Sequence, residues 1–280
     1  MLSMPSSKPD IVGWILITNL LLFLTFGCSI PPKDPQITLE EEFIELGFYG
    51  ESKKYLKNGI ITVYLTGTPY EIGFAHGKLC KNEIEELNAR FFNLFDRFSK
   101  DPQNKWVELS RKLEKNIPKE YIDEMRGISD GSRIDYNKIL FINTLSTISM
   151  KDSCLAFAFQ NVNSEIITLR LDDELKKTDF HRRMVLFIIK PENRMGFAAI
   201  ITPGWVDGET GINEKGITVS QNNIGIRQED WDVMPITILS RYMLQYSETI
   251  DDIDRLLDKQ HAYPGRLIFV SSPYGASVFE

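Results

Sequence analysis

Three residues in the middle of the chain have the types and spacing expected of a thiol-based reaction centre. Cys154 is followed by Arg170 and Asp173, and the residues between them have the pattern of a β-hairpin that would bring both back beside the cysteine. An arginine near a thiol favours the thiolate, and an aspartate accepts hydrogen bonds from an ammonium group. The competing interpretations are a small buried core cysteine and an exposed Arg/Asp cluster at a strand end.

A reaction at this cysteine also needs a base. The histidines, His76, His181 and His261, are scattered, and no pattern ties any of them to the cysteine. Cleavage between Ser153 and Cys154 would supply the base, because a free α-amino group has a pKa of about 7.7 to 8.0 and accepts the thiol proton near neutral pH. One residue would then provide both nucleophile and base. The competing enzyme hypothesis is an uncleaved thiol hydrolase with His181 or His76 as base.

The run from Gly208 to Asn223 is a candidate for stabilising a developing negative charge. Its glycines permit tight turns and close backbone approach, and Asn222 or Asn223 at the end of the following strand can aim an amide N–H at an oxyanion. A plain hairpin with turn asparagines is the alternative.

Hydrophobic periodicity predicts the elements that position these residues. Before Cys154 it predicts one strand and then a mostly helical block, and after Cys154 a series of short strands followed by two helices and a hairpin. The predicted strands cover 59–66, 155–160, 166–171, 184–189, 196–201, 266–271 and 276–279, and the predicted helices cover 68–98, 105–115, 118–129, 135–146, 235–246 and 250–258.

The N-terminal residues have the pattern of an export segment. An apolar run over 11–27 precedes Cys28, which leaves open a lipid-attached protein, an uncleaved membrane anchor and a soluble secreted form. A Pro-rich linker over 29–37 follows. We therefore expect an exported, membrane-anchored, lipoprotein-like protein of the periplasm or cell surface. The net charge of −7 removes the basic surface that nucleic-acid binding needs, and no metal or cofactor motif is present.

Taken together, four motifs resemble the penicillin acyltransferase-like family of N-terminal-nucleophile (Ntn) cysteine hydrolases, which is distantly similar to bile-salt hydrolase and acid ceramidase. The order of the motifs along 60–280 carries the resemblance. The motifs are GTPYEIGFAHGKL from Gly67, YIDEMRGISDGSRIDYNKILFIN from Tyr121, the Cys154/Arg170/Asp173 spacing, and TGINEKGITVSQN from Thr210.

The resemblance implies an α+β fold with a four-layer αββα sandwich, and self-cleavage before Cys154. Residues 38–153 would be a mostly helical prosegment that stays bound, and 154–280 the catalytic region. Arg170 would sit close to the sulfur, Asp173 would hold the α-amino group, and Asn222, favoured over Asn223, would bind the oxyanion. The implied substrate is a small N-acyl amide or acyl thioester, and no cofactor is implied.

The sequence departs from the family pattern at several positions. Leu171 stands where relatives carry asparagine, and Ser153 precedes the nucleophile where glycine is common. The family also continues with further strands beyond the position of Glu280, which predicts that the αββα sandwich is incomplete at this end. The end at Glu280 indicates either a fragment or a decayed member of the family. The second supports the alternative of a non-catalytic or decayed surface lipoprotein that keeps the fold as a binding module, which the retained Cys154/Arg170/Asp173 spacing opposes.

Overall fold

The computed structural model describes residues 43–96, 102–149, 153–173, 183–223, 231–259 and 266–280. Within them the chain forms eleven strands and seven helices. The strands are β1 (Phe43–Tyr49), β2 (Ser52–Lys57), β3 (Ile60–Gly67), β4 (Ser153–Gln160), β5 (Ile166–Asp173), β6 (Val185–Pro191), β7 (Phe197–Ile201), β8 (Thr210–Asn213), β9 (Thr218–Asn223), β10 (Arg266–Ser272) and β11 (Gly275–Phe279). The helices are α1 (Pro69–Leu79), α2 (Lys81–Asp96), α3 (Pro102–Glu114), α4 (Lys119–Ser132), α5 (Tyr136–Ser149), α6 (Ile236–Tyr246) and α7 (Ile250–Lys259).

Nine of these strands form one sheet in the order β1-β2-β3-β6-β7-β8-β9-β10-β11. All neighbouring strands are antiparallel except β3 and β6, which are parallel. Their pairing runs from Thr62 opposite Leu186 to Gly67 opposite Pro191. Because β3 precedes Cys154 and β6 follows it, a single sheet joins the regions on the two sides of the predicted cleavage point. The sequence did not predict β1 and β2.

The remaining strands, β4 and β5, form a separate antiparallel hairpin. Its register places Ala156 opposite Arg170 and Cys154 opposite Asp172. The hairpin lies over the large sheet, since the hydroxyl of Ser271 on β10 is 2.6 Å from that of Thr168 on β5. The same serine hydroxyl lies 2.6 Å from that of Thr218 on β9.

The opposite face of the large sheet carries the main hydrophobic core. Alternating side chains of its strands, among them Leu65, Phe187 and Val270, are fully or almost fully buried and share one cluster with helical residues such as Met125 and Met243. The described residues therefore form a helical layer, a large sheet and a smaller hairpin. This confirms the predicted α+β class, while the complete four-layer sandwich stays a prediction.

Helix α1 begins as the sequence predicts. The Thr68 hydroxyl accepts a hydrogen bond from the Glu71 backbone N–H, the Glu71 carboxylate accepts one from the Thr68 N–H, and Pro69 occupies the first turn. The prediction of one helix over 68–98 was wrong, because the chain turns at the fully buried Cys80 and starts a second helix. The turn brings Ile84 of α2 into the core that α1 also contacts.

Helices α1 and α4 cross in close backbone contact through two pairs of glycines. A Cβ on Gly73 would lie 1.9 Å from the carbonyl oxygen of Glu124, and one on Gly127 would lie 2.2 Å from that of Tyr70. Gly77 and the glycine at 131 are equally crowded by backbone atoms of the partner helix. The first two motifs of the family resemblance therefore encode a helix crossing.

Two sequence predictions about the N-terminus fall outside the structure's described part. The apolar run, Cys28 and the linker over 29–37 all precede residue 43, the first described residue. Among the helices that the structure does describe, none has the length and apolar character needed to cross a bilayer.

Candidate active site

The hairpin brings Cys154 and Arg170 into contact. Nη2 of Arg170 lies 3.4 Å from Sγ of Cys154. Arg170 stands opposite Ala156, two residues along β4 from Cys154, so the pair is a diagonal neighbour on one face of the hairpin. The arginine side chain is only 7% exposed, whereas the cysteine is partly open to solvent. A partly exposed thiol beside a buried guanidinium is a suitable environment for a thiolate nucleophile.

The loop before β8 holds the other side of the guanidinium. Nη1 of Arg170 donates to the backbone carbonyl of Glu209 at 3.3 Å and to the Thr210 hydroxyl. Nη2 lies 3.6 Å from Oε2 of Glu209. The loop itself is fixed by Asp207, whose Oδ1 accepts hydrogen bonds from the backbone N–H groups of Gly208 and Glu209 at 2.5 and 2.8 Å.

The two candidate oxyanion residues lie on opposite faces of β9. Asn222 lies on the same face of β9 as Thr218, which is the face that carries the hairpin. Asn223 lies on the same face as Val219, which is buried in the helical core. Strand β4 packs against β9. Oδ1 of Asn222 is buried and accepts no hydrogen bond from the described residues. The atom without a partner is the acceptor of the amide, whereas an oxyanion would be bound by its donor group, Nδ2.

The predicted cleavage point and Asp173 lie at the open end of the hairpin. Ser153 and Cys154 are the first two residues of β4, and the register pairs Ser153 with Asp173 and Cys154 with Asp172. The side chains of Ser153, Asp172 and Asp173 are outside the described part of the structure. The backbone register alone therefore leaves the predicted role of Asp173 a prediction.

His76 is unsuited to act as a base. Its Nε2 accepts a hydrogen bond of 2.9 Å from the Gly204 N–H, its ring packs 4.6 Å from that of Phe187, and the residue is 1% exposed. Burial, followed by the positive charges of Arg241 and Lys54, lowers the pKa of His76 to about 3. The structure thus gives His76 a packed, structural role and not the role of the base. His181 and His261 lie outside the described residues.

No disulfide joins the described cysteines, Cys80 and Cys154. Cys80 is fully buried, and burial raises the pKa of its thiol to about 12. In the described ranges, no three His, Cys, Asp or Glu side chains converge in a way that would hold a metal ion.

A cleft of about 650 Å³ separates the hairpin from the large sheet, and Arg170 forms part of its wall. Its lining combines apolar side chains of the sheet, including Leu186, Ile200 and Ile212, with hydroxyl groups such as that of Thr210. A cleft of this size and lining suits a small, largely apolar group.

Sequence reasoning missed two residues of this site. Glu209 and Thr210 contact Arg170 from another element, and their position in a glycine-rich run was the only available signal. Asn213, in the motif GINEKGI, is structural: its Nδ2 donates to the carbonyls of Leu244 and Ser247 at 3.0 and 2.8 Å.

The chain is similar in sequence to known proteins. Residues 172–273 match the family model of acyl-coenzyme A:6-aminopenicillanic acid acyl-transferase. The acyl-coenzyme A:6-aminopenicillanic-acid-acyltransferase 40 kDa form of Emericella nidulans is 22% identical over 232 residues, covering 78% of this chain and 62% of that protein. The predicted relationship to the penicillin acyltransferase-like family is confirmed.

Other relatives come from very different organisms. Protein dcd1A of Dictyostelium discoideum is 24% identical over 244 residues, covering 72% of this chain and 53% of that protein. An uncharacterised protein of Archaeoglobus fulgidus is 23% identical over 230 residues, covering 70% of this chain and 38% of that protein. The chain spans about half the length of the curated relatives it matches.

The family match covers only part of the acyltransferase-like site. Glu209, Asn222 and Asn223 lie inside the matched range, whereas Cys154 and Arg170 precede it. The contact between the Cys154 thiol and the Arg170 guanidinium is therefore an observation that is independent of the match.

Proposed function

We propose that the chain is a self-processing N-terminal-cysteine amidohydrolase or acyltransferase that acts on N-acyl amide bonds. The observation that carries the proposal is the contact between the Cys154 sulfur and the Arg170 guanidinium, beside a cleft that can receive an acyl group. The retained contact favours an enzyme over a non-catalytic binding module.

Processing uses the same nucleophile as turnover. The Cys154 sulfur attacks the carbonyl carbon of Ser153, the peptide C–N bond breaks, and the acyl group of Ser153 moves to sulfur as a thioester. Water then hydrolyses the thioester, leaving a carboxylate on Ser153 and a free α-amino group on Cys154. Asp173, whose backbone pairs with Ser153 at the scissile bond, is the proposed partner of the new ammonium group.

In turnover the α-amino group accepts the thiol proton and the sulfur attacks the substrate amide carbonyl. Asn222 and a backbone N–H stabilise the oxyanion, and a donor of this kind contributes about 3 kcal/mol to transition-state stability. The amine leaves with the proton, and water or a second amine accepts the acyl group from the thioester. The placement of Asn222 on the hairpin side of β9 favours it over Asn223.

The prosegment is proposed to stay bound to the catalytic region after cleavage. Strand β3 pairs with β6 across the cleavage point. Helices from the two sides of the cleavage point are also in contact, because the buried guanidinium of Arg241 on α6 lies 3.1 Å from the carboxylate of Glu124 on α4. Attachment through the N-terminal segment, by lipid at Cys28 or by the apolar run, remains a separate proposal.

Trapping the acyl-enzyme tests the proposed reaction. The protein is mixed with activated acyl esters and N-acyl amides, and the mass of the Cys154 peptide is measured beside Cys154→Ala and Cys154→Ser. We expect one acyl group per chain on Cys154 that hydroxylamine removes, and none on Cys154→Ala. Acylation of other residues alone, at equal rates in the wild type and Cys154→Ala, would overturn the proposal.

A further inference from the structure

Arg170 is held by more than its contact with the sulfur. Its side chain is 7% exposed, and that of Glu209 is 15% exposed, so the pair lies largely out of water. A planar guanidinium in such surroundings takes the orientation that its hydrogen-bond partners dictate. On the side away from Cys154, two successive residues, Glu209 and Thr210, supply described partners of the guanidinium.

The loop that provides these partners is itself anchored at both ends. On one side, the carboxylate of Asp207 caps the backbone N–H groups of Gly208 and Glu209. On the other, Thr210 begins β8 and pairs with Ser220 of β9. The backbone of Glu209 is therefore fixed beside the large sheet, whereas Arg170 reaches its carboxylate from the hairpin.

We propose that Glu209 is a positioning residue, which holds the Arg170 guanidinium so that Nη2 points at the Cys154 sulfur. Nη1 is bound to the Glu209 carbonyl and the Thr210 hydroxyl, and the Glu209 carboxylate lies beside Nη2. These contacts orient the Arg170 guanidinium so that Nη2 faces the sulfur. The inference rests on the proposed nucleophilic role of Cys154. It adds a residue that connects the two sheets of the site.

Removing the Glu209 carboxylate changes the reactivity of Cys154 in opposite directions under two roles, that of a positioning residue and that of a neighbouring negative charge alone. A carboxylate that acted only as a neighbouring negative charge would disfavour the thiolate, so removing it would make Cys154 more reactive. A carboxylate that positions Arg170 has the opposite effect, because its removal releases the guanidinium from the sulfur.

The experiment measures alkylation of Cys154 by iodoacetamide at pH 7 in a Cys28→Ser background, with the modified peptides resolved by mass. Cleaved and uncleaved chains give different Cys154 peptides, so rates are compared within one form and no enzymatic turnover is needed. We expect Glu209→Ala to slow alkylation by about threefold to tenfold, as for a loss of about half to one pK unit of thiolate stabilisation. Glu209→Gln keeps an acceptor and is expected to retain the wild-type rate or exceed it.

Two controls and a replacement variant make the result decisive. Glu86→Gln removes a carboxylate from another arginine pair, with Arg183, and is expected to leave the rate unchanged. Glu209→Ala added to Arg170→Gln is expected to cause no further slowing, because Glu209 acts through Arg170. If Glu209→Ala does not fold, Glu209→Asp replaces it, and its shorter reach is expected to slow alkylation. An unchanged or faster rate in the folded Ala or Asp variant overturns the proposal, whether or not the chain proves to be an amidohydrolase.

Discussion

The Arg170 guanidinium lies 3.4 Å from the Cys154 sulfur, across a hairpin that stands apart from the main sheet. The contact depends on strand register, because a shift of one residue would turn Arg170 to the other face of β5. The hairpin is in turn fixed over the sheet by the Thr168 and Ser271 hydroxyls. The reactive pair is therefore positioned by the fold and not by flexible loops alone.

Replacing Arg170 by lysine tests whether the shape of the guanidinium matters as well as its charge. Lysine keeps a positive charge but cannot bind Glu209, Thr210 and the sulfur at once. We expect Arg170→Lys to lower kcat/KM for an N-acyl amide by about tenfold or more, equivalent to about 1.4 kcal/mol of transition-state stabilisation. Arg255→Lys, an exposed pair with Asp252, is the control and should leave kcat/KM unchanged. Equal losses in both variants would contradict this role.

The two asparagines at the end of β9 should differ in their effect on catalysis. Asn222 faces the hairpin side of the sheet, so Asn222→Ala is expected to lower kcat by about 10² to 10³, as for loss of an oxyanion donor. Asn223→Ala, on the other face, is expected to have a much smaller effect on kcat. Steady-state kinetics on one acylated substrate compares them. The reverse order would assign the oxyanion role to Asn223.

The crossing of α1 and α4 predicts an unusual result for a helical glycine. Alanine has the higher helix propensity by about 1 kcal/mol, so Gly73→Ala would stabilise an unconstrained helix. Here its Cβ would lie 1.9 Å from a backbone oxygen of α4, so we expect a net loss of about 1 to 3 kcal/mol in the free energy of unfolding.

Urea denaturation measures this loss, with Gly275→Ala as the control because a Cβ there meets no atom within 4 Å. The control should change the unfolding free energy by about 0.5 kcal/mol at most. Stabilisation by Gly73→Ala would show that the two helices are not in backbone contact.

His76 should make stability depend on pH in mildly acidic solution. Its pKa is lowered to about 3 in the folded protein, whereas the unfolded chain takes up the proton near pH 6.5. Between these values the unfolded state binds more protons, so stability is present above about pH 6.5 and falls as pH drops towards 3. This residue contributes a slope of up to about 1.4 kcal/mol per pH unit.

His76→Gln keeps a hydrogen-bond acceptor for Gly204 and removes the titration. We expect its unfolding free energy to be less steep than that of the wild type between pH 4 and 6, measured by chemical denaturation at each pH. Parallel pH curves for the two proteins would mean that His76 is not buried in its neutral form.

Much of the fold follows from local patterns in the sequence. The capping box at Thr68, the helices before Cys154 and the β4–β5 hairpin are all encoded by neighbouring residues. Strands β1 and β2 escaped prediction because their residues show no clear alternation, as the charged and apolar mixture of Ser52–Lys57 illustrates.

The site was harder to predict than the elements, because its contacts connect distant parts of the chain. Hairpin geometry suggested that Arg170 would approach Cys154, but no local pattern indicates that Glu209 would reach Arg170 from another sheet. Similarly, the parallel pairing of β3 with β6 depends on a long crossover that residue patterns alone do not specify. The choice between Asn222 and Asn223 required the structure, which shows the face of β9 on which each side chain lies.

Cleavage before Cys154 is the central claim, and the masses and N-terminal sequences of all chains in the purified protein test it most directly. Cys154→Ala is the matched control, since it removes the sulfur and leaves the hairpin backbone in place. We predict two chains in the wild type, one starting at Cys154, that stay together under native conditions through the β3–β6 pairing and separate in denaturant, and one intact chain in Cys154→Ala. An intact chain in both proteins would contradict the self-processing mechanism, and cleavage before residue 154 in both would show that the cysteine does not perform it.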